Sequence, residues 1–488
     1  MAHTKTVKTA TGAVRGVQGD GLATFNAIPY AAPPLGALRF AAPEPHPGWN
    51  GVRDCIHVGA SPPQGSSRLD AVMGIAPFAQ SEDCLTMTVW TPAADTGRRP
   101  VMLWFHGGAY QSGGAHQVFY DGGNLARAGD MVVVGVGYRL GALGYLYLPE
   151  AAAPANRGLL DQMQALRWVA ENIAAFGGDP TCITVAGQSA GGGSVLALLA
   201  DPASRALIAR AIPQSPSTGC LSVERASAIA ARFYQFATVR PGDIAALRAL
   251  TVAQIVAAQR AVQMEIAATG DRTIAYQNVA PGPGCPVNPA SAVIKGAAGN
   301  IPMLIGSTLD EGHAWLAQDE TLVAATDMGV VAQQAEAGGF GKAAADLSAD
   351  RKRPGQKPWE LLSAMMTWAV FEKPSRTVAD GHTGQGGPAY VYRFDWRPTP
   401  NARYGACHCI ELPFMFDNLA RWPRSAMMAG HDAASYRALA TPMRDAWAAF
   451  ARTGNPQTAA LPKWPAWSSS NRAYMVLDDT SRVAIESR

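Results

Sequence analysis

The chain reads Cys182-Ile-Thr-Val-Ala-Gly-Gln-Ser-Ala-Gly-Gly-Gly-Ser-Val-Leu-Ala-Leu-Leu199 at the point that decides its fold. An apolar, β-branched run leads into a Gly-x-Ser-x-Gly pentapeptide, and a stretch typical of a helix follows. The glycines beside Ser189 let the chain turn sharply between strand and helix without a Cβ clash. Such a turn lifts the hydroxyl clear of the sheet, so the pattern predicts that Ser189 is a nucleophile.

Short apolar runs recur along the chain with helical segments between them, which predicts a mostly parallel sheet with helices on both faces. The most regular helical pattern spans 159–176 and closes with Gly177-Gly-Asp-Pro180. The predicted strands are 101–105, 131–136, 183–186, 303–306 and 390–394.

No linker, repeat or low-complexity tract divides the chain, so we expect one domain over residues 1–488. Two Ala-rich stretches, 221–270 and 315–380, have helical patterns. We expect them to be insertions that cap the sheet and shape a substrate pocket.

Composition excludes several classes of protein. A formal net charge of +3, with 48% hydrophobic and 16% charged residues, indicates a soluble enzyme rather than a nucleic-acid-binding protein. The window 131–148 contains Arg139 and reads as a buried strand and turn, so we expect no membrane anchor. The N-terminus lacks the apolar region of a secretory signal, which favours the cytoplasm.

Seven scattered cysteines suit a reducing compartment, with Cys55 and Cys84 as the one conceivable bridge. Cys407 and Cys409 flank His408 without the second cluster that a zinc site needs, so no metal is expected. We also expect a small-molecule substrate, and a monomer or small homo-oligomer.

A serine nucleophile needs a histidine base and a carboxylate that orients it. The usual order on this scaffold is serine, acid, histidine, which leaves four histidines as candidate bases. The acid should follow a strand, and the loop after 303–306 offers Asp310 and Glu311 without a choice by spacing. The candidate bases are His313, His382, His408 and His431.

The oxyanion of the reaction needs N–H donors near the nucleophile. Gly107 and Gly108 follow an earlier predicted strand and permit a close approach of the backbone. The N–H groups of Gly108 and Ala109 could converge there with that of Ala190.

The chain resembles the type-B carboxylesterases in a series of motifs that occur in the same order nearly from end to end. This is the cholinesterase-like branch of the α/β-hydrolases, which includes bacterial p-nitrobenzyl esterases. The motifs are Phe25-Asn-Ala-Ile-Pro-Tyr-Ala-Ala-Pro-Pro-Leu-Gly36, Ser81-Glu-Asp-Cys-Leu-Thr-Met-Thr-Val-Trp90, His106-Gly-Gly-Ala-Tyr110, Asn156-Arg-Gly-Leu-Leu-Asp-Gln162, the Ser189 turn, Asp310-Glu-Gly312, Gly405-Ala-Cys-His-Cys-Ile-Glu-Leu412 and Thr453-Gly-Asn-Pro456.

The resemblance implies an α/β-hydrolase fold and a serine carboxylesterase that needs no cofactor. It selects Glu311 over Asp310 and His408 over the other histidines, which makes a Ser189, His408 and Glu311 triad. It also implies an oxyanion hole of Gly108, Ala109 and Ala190.

Departures from the family pattern bear on the substrate. Gln188 stands where the family usually has glutamate, and a proline follows Ser215 where glycine is common. No tryptophan lies between Ser61 and Ser81 to hold a quaternary ammonium. We therefore expect uncharged or anionic esters of small to medium size. The alternatives are a carbamate or activated-amide hydrolase with the same triad and, remotely, a non-catalytic binding module.

Overall fold

In the computed structural model, which describes residues 2–337, 355–399 and 402–486, twelve strands form one central sheet and three more form a small second sheet. The strands are β1 (Ala2–His3), β2 (Val7–Thr9), β3 (Gly12–Arg15), β4 (Val17–Gly19), β5 (Leu22–Pro29), β6 (Val52–Asp54), β7 (Thr86–Thr91), β8 (Arg99–Phe105), β9 (Val132–Val136), β10 (Gly178–Gln188), β11 (Arg210–Gln214), β12 (Met303–Thr308), β13 (Ala389–Phe394), β14 (Ala473–Leu477) and β15 (Arg482–Ile485).

Helices cover both faces of the central sheet. They are α1 (Asp70–Met73), α2 (Gly123–Gly129), α3 (Gly141–Tyr145), α4 (Arg157–Asn172), α5 (Ala190–Ala200), α6 (Pro202–Arg205), α7 (Val223–Ala237), α8 (Ile244–Ala249), α9 (Val252–Ala268), α10 (Pro289–Ile294), α11 (His313–Leu316), α12 (Glu320–Ala325), α13 (Met328–Ala337), α14 (Pro358–Thr367), α15 (Lys373–Gly384), α16 (Leu412–Phe416) and α17 (Ala433–Thr453). A π-helical turn, Trp368–Glu372, joins α14 to α15.

The central sheet is parallel in its middle and antiparallel at its edges. Its strand order is β1-β4-β5-β7-β9-β8-β10-β11-β12-β13-β14-β15, and every pair from β9 to β14 is parallel. Parallel strands end at one edge of a sheet, so the loops after β8, β10, β11 and β12 share that edge. This edge carries the candidate site.

Strand β8 shows how the sheet divides the core. Val101, Leu103 and Phe105 pack into the cluster that contains α4 and α5. Met102 and Trp104, the residues between them, pack into a second cluster with α16 and α17. Alternate side chains of a strand point to opposite faces, and a strand buried on both faces reads as a continuous apolar run.

The mostly parallel sheet flanked by helices is the predicted class of fold. Each predicted strand overlaps an observed one; four lie inside the observed strand, and 131–136 begins one residue before β9. The predicted helix 159–176 is α4, which continues as a 3₁₀ turn over Ile173–Phe176. Strand β11 and the antiparallel strands of the N-terminal region were not predicted.

Helices α7, α8 and α9 lie within 221–270, and α12, α13 and α14 lie within 315–380. Helix α15 begins inside the second stretch and ends beyond it, at Gly384. Residues 338–354 of the second stretch are outside the described residues. In the described ranges, no helix is long and apolar enough to cross a membrane.

Candidate active site

Ser189 lies on the sharp turn between β10 and α5. Its backbone has φ 60° and ψ −121°, a strained conformation outside the regions that non-glycine residues favour. The turn is held because the Ser189 N–H donates to the Gln214 carbonyl (2.9 Å), and the Ser189 carbonyl accepts from the N–H of Gly193 and of Ser217 (3.0 Å each). The serine is partly exposed, whereas its neighbours Gln188 and Ala190 are buried.

Close packing explains why the pentapeptide needs its glycines. A Cβ on Gly191 would lie 2.0 Å from the Phe105 carbonyl oxygen, and one on Gly187 would lie 2.5 Å from the Gly191 carbonyl carbon. Gly107 packs against the same turn, and a Cβ there would lie 2.8 Å from Gln188 Oε1. Larger residues at these positions would displace the loop that carries Ser189.

Glu311 and Asp310 have different partners although they are adjacent. The carboxylate of Glu311 is fully buried and accepts from Ser215 Oγ (2.6 Å), from the Thr308 N–H (2.9 Å) and from His408 Nδ1. The carboxylate of Asp310 binds Arg397 (2.6 and 2.9 Å) and the Ala406 N–H (2.9 Å). Glu311 therefore contacts the histidine, and Asp310 holds a neighbouring loop.

His408 is buried, and both of its ring nitrogens have partners. Nδ1 donates to Glu311, and Nε2 accepts from Gln188 Nε2 at 3.1 Å. Cys409 Sγ donates to Gln188 Oε1 (3.6 Å), which orients the amide. This arrangement leaves the lone pair on Nε2, the tautomer that a general base needs.

Aromatic rings fix the plane of the imidazole. Trp315 in α11 and Phe371 in the π-helical turn each have their ring centroid 4.9 Å from that of His408. Neither ring was predicted from the sequence. Phe371 lies 37 residues before His408 in the chain and carries no local motif.

The pKa of His408 combines opposing effects. Burial by itself lowers the pKa of the imidazole, but the negative charge of Glu311 and its hydrogen bond to Nδ1 raise that pKa above 6.5. Burial also raises the pKa of the Cys409 thiol. At neutral pH the thiol is therefore protonated, and Glu311 is the charge that stabilises the imidazolium.

The other candidate histidines have local contacts. His313 is buried with its ring 4.7 Å from that of Trp359. His382 Nε2 bonds the Ile301 carbonyl (2.9 Å), and His431 Nδ1 bonds the Met428 carbonyl (2.9 Å). None of these contacts brings a histidine to Ser189.

Near Ser189, the backbone N–H groups of Gly108, Ala109 and Ala190 donate to no protein acceptor in the described part of the chain. Gly108 has φ 111° and Ala109 has φ 53°, so the turn after β8 is left-handed at both residues. His106 supports this turn because its Nδ1 donates to the Gly107 carbonyl (2.8 Å). Burial lowers the pKa of His106 to about 4, which keeps the ring neutral.

A cavity of about 540 Å³ opens over these groups. Ser189, His408, Gly108 and Ala109 all line it, and α9 forms part of its wall. This volume is within the range of small-molecule sites.

Predictions from the sequence concerned both the cysteines and the possible metal ligands. All seven cysteines are free thiols, so Cys55 and Cys84 form no bridge. Among the described residues, no group of three or more His, Cys, Asp or Glu side chains is arranged to hold a metal ion.

Glu411 is a second buried carboxyl near the triad. Its Oε1 accepts from Gln214 Nε2 (3.2 Å), while Oε2 has no hydrogen-bond partner among the described residues. Gln214 in turn accepts from Trp447 Nε1 (2.9 Å). Burial, followed by the negative charge of Glu311, raises the pKa of Glu411 to about 7.

This raised pKa predicts a pH-dependent gain in stability for Glu411→Gln. Below the ordinary pKa of 4.5 both the folded and the unfolded chain hold the proton. As the pH rises from 4.5 through 7, the unfolded chain releases the Glu411 proton before the folded chain does. Proton release therefore favours the unfolded state, and the wild type loses stability. Relative to wild type, the variant should gain about 2 kcal/mol more at pH 8 than at pH 5.

Thermal unfolding at the two pH values checks this. Glu171→Gln is the matched control, because Glu171 is exposed. The Tm of this control should equal that of the wild type at pH 5 and at pH 8. An E411Q variant whose Tm difference from wild type is the same at pH 5 and pH 8 would contradict the buried-carboxyl interpretation.

Known proteins are similar to this chain over nearly its whole length. Residues 3–487 match the model of a family described as the carboxylesterase family. The chain is 37% identical to the para-nitrobenzyl esterase of Bacillus subtilis over all of its own length and 96% of that protein. It is 36% identical to the phenmedipham hydrolase of Pseudarthrobacter oxydans over 96% of this chain and 94% of that one.

Solved structures are similar along the whole chain. A crystal structure of a Geobacillus stearothermophilus carboxylesterase superposes with a TM-score of 0.86 at 36% identity, covering 99% of this chain and 98% of the other. A PNB esterase superposes with a TM-score of 0.83 at 35% identity, covering 98% and 97%.

Proposed function

Because the chain belongs to the carboxylesterase family, has the predicted α/β-hydrolase fold and is a carboxylic ester hydrolase, we propose that Ser189, His408 and Glu311 are its catalytic residues. One observation carries this assignment: His408 bonds Glu311 through Nδ1 and lines the same cavity as Ser189. Nucleophile, base and orienting carboxylate are the three parts that acyl transfer by serine requires.

In the first half of the reaction, Ser189 Oγ attacks the ester carbonyl carbon. His408 Nε2 takes the hydroxyl proton and then donates it to the departing alcohol. The Gln188 amide, which bonds Nε2 here, exchanges with the Ser189 hydroxyl as the substrate arrives. Glu311 keeps the ring oriented and stabilises its charged form.

The developing oxyanion needs donors that are already in place. The free N–H groups of Gly108, Ala109 and Ala190 are the proposed donors. Gly107 supports this hole by packing against the Ser189 turn, and Ser215 supports the triad through its bond to Glu311. Water then repeats the sequence on the acyl-enzyme and releases the carboxylic acid.

The cavity over Ser189 receives the substrate. We assign its wall to the two helical stretches, because α9 and Trp315 of α11 line it. Gln188 places an uncharged amide beside His408. The substrates proposed are uncharged or anionic esters, and the free thiols support a cytoplasmic location.

The test is hydrolysis of p-nitrophenyl esters from acetate to palmitate, followed by stopped-flow absorbance. An acyl-enzyme predicts a burst of one p-nitrophenol per active site before steady turnover. Turnover of none of these esters, at any chain length, would overturn the proposed function.

The pKa of His408 predicts how activity depends on pH. The base must be neutral to accept a proton, so kcat/KM is lost as the pH falls through the pKa of His408. Because that pKa lies above 6.5, the midpoint of the acid limb should also lie above 6.5.

A profile of kcat/KM from acid to alkaline pH, corrected for spontaneous hydrolysis, measures this midpoint. Removing the negative charge of Glu311 in a Glu311→Gln variant should move the midpoint downward. A wild-type midpoint below 6.5 would contradict the proposed coupling of His408 to Glu311.

A further inference from the structure

The charge of the cavity wall is one-sided. Three arginines line it, Arg68, Arg260 and Arg272, and among the described residues that line it none is aspartate or glutamate. The arginines come from three separate segments: the loop before α1, helix α9 and the loop after α9. Guanidinium groups stay protonated at any pH of interest, so the wall is positive.

No carboxylate in the described part of the chain forms an ion pair with these arginines. All three are exposed, and within the described ranges none forms an ion pair. Among the described residues, the one hydrogen bond of the Arg272 guanidinium is to the amide oxygen of Gln334, at 3.4 Å. By contrast, Arg139 inside the fold binds Asp161 through two nitrogens (2.7 and 2.9 Å).

The backbone that carries two of them is fixed. Gln263, one turn after Arg260 on α9, accepts from the Ala275 N–H (3.1 Å) and donates to the Thr273 carbonyl (3.3 Å). The loop that carries Arg272 is therefore tied to the helix that carries Arg260.

The carboxylates next to these arginines in the chain point elsewhere. Asp271 accepts from the Thr273 N–H (2.8 Å) and binds Arg225. Asp70 accepts from the Ser67 N–H (2.8 Å), which closes the turn before α1. Neither acid lines the cavity, so no carboxylate among the described lining residues offsets the positive charge of the wall.

We propose that Arg68, Arg260 and Arg272 form a carboxylate-binding subsite, and that the preferred substrates are esters with a free carboxylate remote from the scissile bond. This rests on the proposed function, since it needs Ser189 as the reacting group of the same cavity. A guanidinium can bind a carboxylate through two parallel hydrogen bonds, which gives both attraction and orientation. The uncharged Gln188 adds no repulsion near the reacting atoms.

The test compares two acetate esters that differ in remote charge, 4-acetoxyphenylacetate and 4-acetoxyphenylacetamide. The phenolic leaving groups are nearly identical, so a ratio of kcat/KM values reports the remote group. At low ionic strength we expect the wild type to prefer the anion by about tenfold, mostly through KM. In about 0.5 M NaCl the preference should fall below about threefold, because exposed charges are screened.

The test variant combines three substitutions, Arg68→Gln, Arg260→Gln and Arg272→Gln. The three single variants, made separately, show which arginine contributes. The triple variant should have a ratio near one and no salt dependence. Arg437→Gln is the matched control, since Arg437 is exposed on α17 and lies outside the cavity wall. Its ratio should equal that of the wild type.

The two possible failures are distinguishable. Hydrolysis of both esters by the wild type at equal efficiency, or an anion preference that survives the triple substitution, would overturn the subsite alone. Hydrolysis of neither ester, together with no turnover of any p-nitrophenyl ester, would overturn the proposed function and the subsite with it.

Discussion

Ser189→Ala is expected to abolish ester hydrolysis while the fold is retained. Alanine has no Oγ to attack the carbonyl, and no other nucleophile is expected to take over its part. Loss of a serine nucleophile lowers kcat by a factor on the order of 10⁶ in a comparable hydrolase. The methyl group fits the same strained turn, so the Tm should change little.

Ser66→Ala is the control, because Ser66 lines the same cavity and is exposed. Its kcat for p-nitrophenyl butyrate should be within about twofold of the wild type. The assignment would be wrong if purified Ser189→Ala, free of wild-type contamination, kept more than about 1% of the activity.

Glu311→Gln is expected to lower kcat by about 10³–10⁴-fold, whereas Asp310→Asn should lower it by less than about tenfold. The Glu311 carboxylate accepts from three donors at once, those of His408, Ser215 and Thr308. An amide presents an N–H₂ group to some of them, which disturbs the tautomer and orientation of the imidazole.

Asp310→Asn acts on stability instead. It breaks the partly buried pair with Arg397, which should cost about 3 kcal/mol of folding free energy. Steady-state kcat and thermal unfolding of both variants separate the two effects. A larger loss of kcat in Asp310→Asn than in Glu311→Gln would reverse the assignment of the acid.

The sequence predicted those elements that are determined by interactions between residues close together in the chain. The run before Ser189 is apolar on both faces because β10 lies inside a parallel sheet, and its glycines are needed by contacts within a few residues of the turn. Asp310 and Glu311 were equivalent by spacing alone, and the resemblance to the family chose between them.

Long-range contacts account for what the sequence did not predict. Arg397 distinguishes Asp310 from Glu311, yet it lies 87 residues away in the chain. Strand β11 contains Arg210 and Pro213 in five residues, so its pattern is weak, and its register with β10 and β12 places it. The three arginines of the cavity come from separate segments of the chain, and only the fold places them in one cavity wall.

Labelling with diethyl p-nitrophenyl phosphate, followed by peptide mass spectrometry, tests the catalytic role of Ser189 most directly. The phosphoryl group is transferred to an activated serine as p-nitrophenolate leaves. We predict one diethylphosphoryl adduct, on the peptide that contains Ser189, formed in step with the loss of activity and absent from Ser189→Ala. Full turnover after complete labelling of Ser189, or inactivation with the adduct on a different residue, would contradict the account.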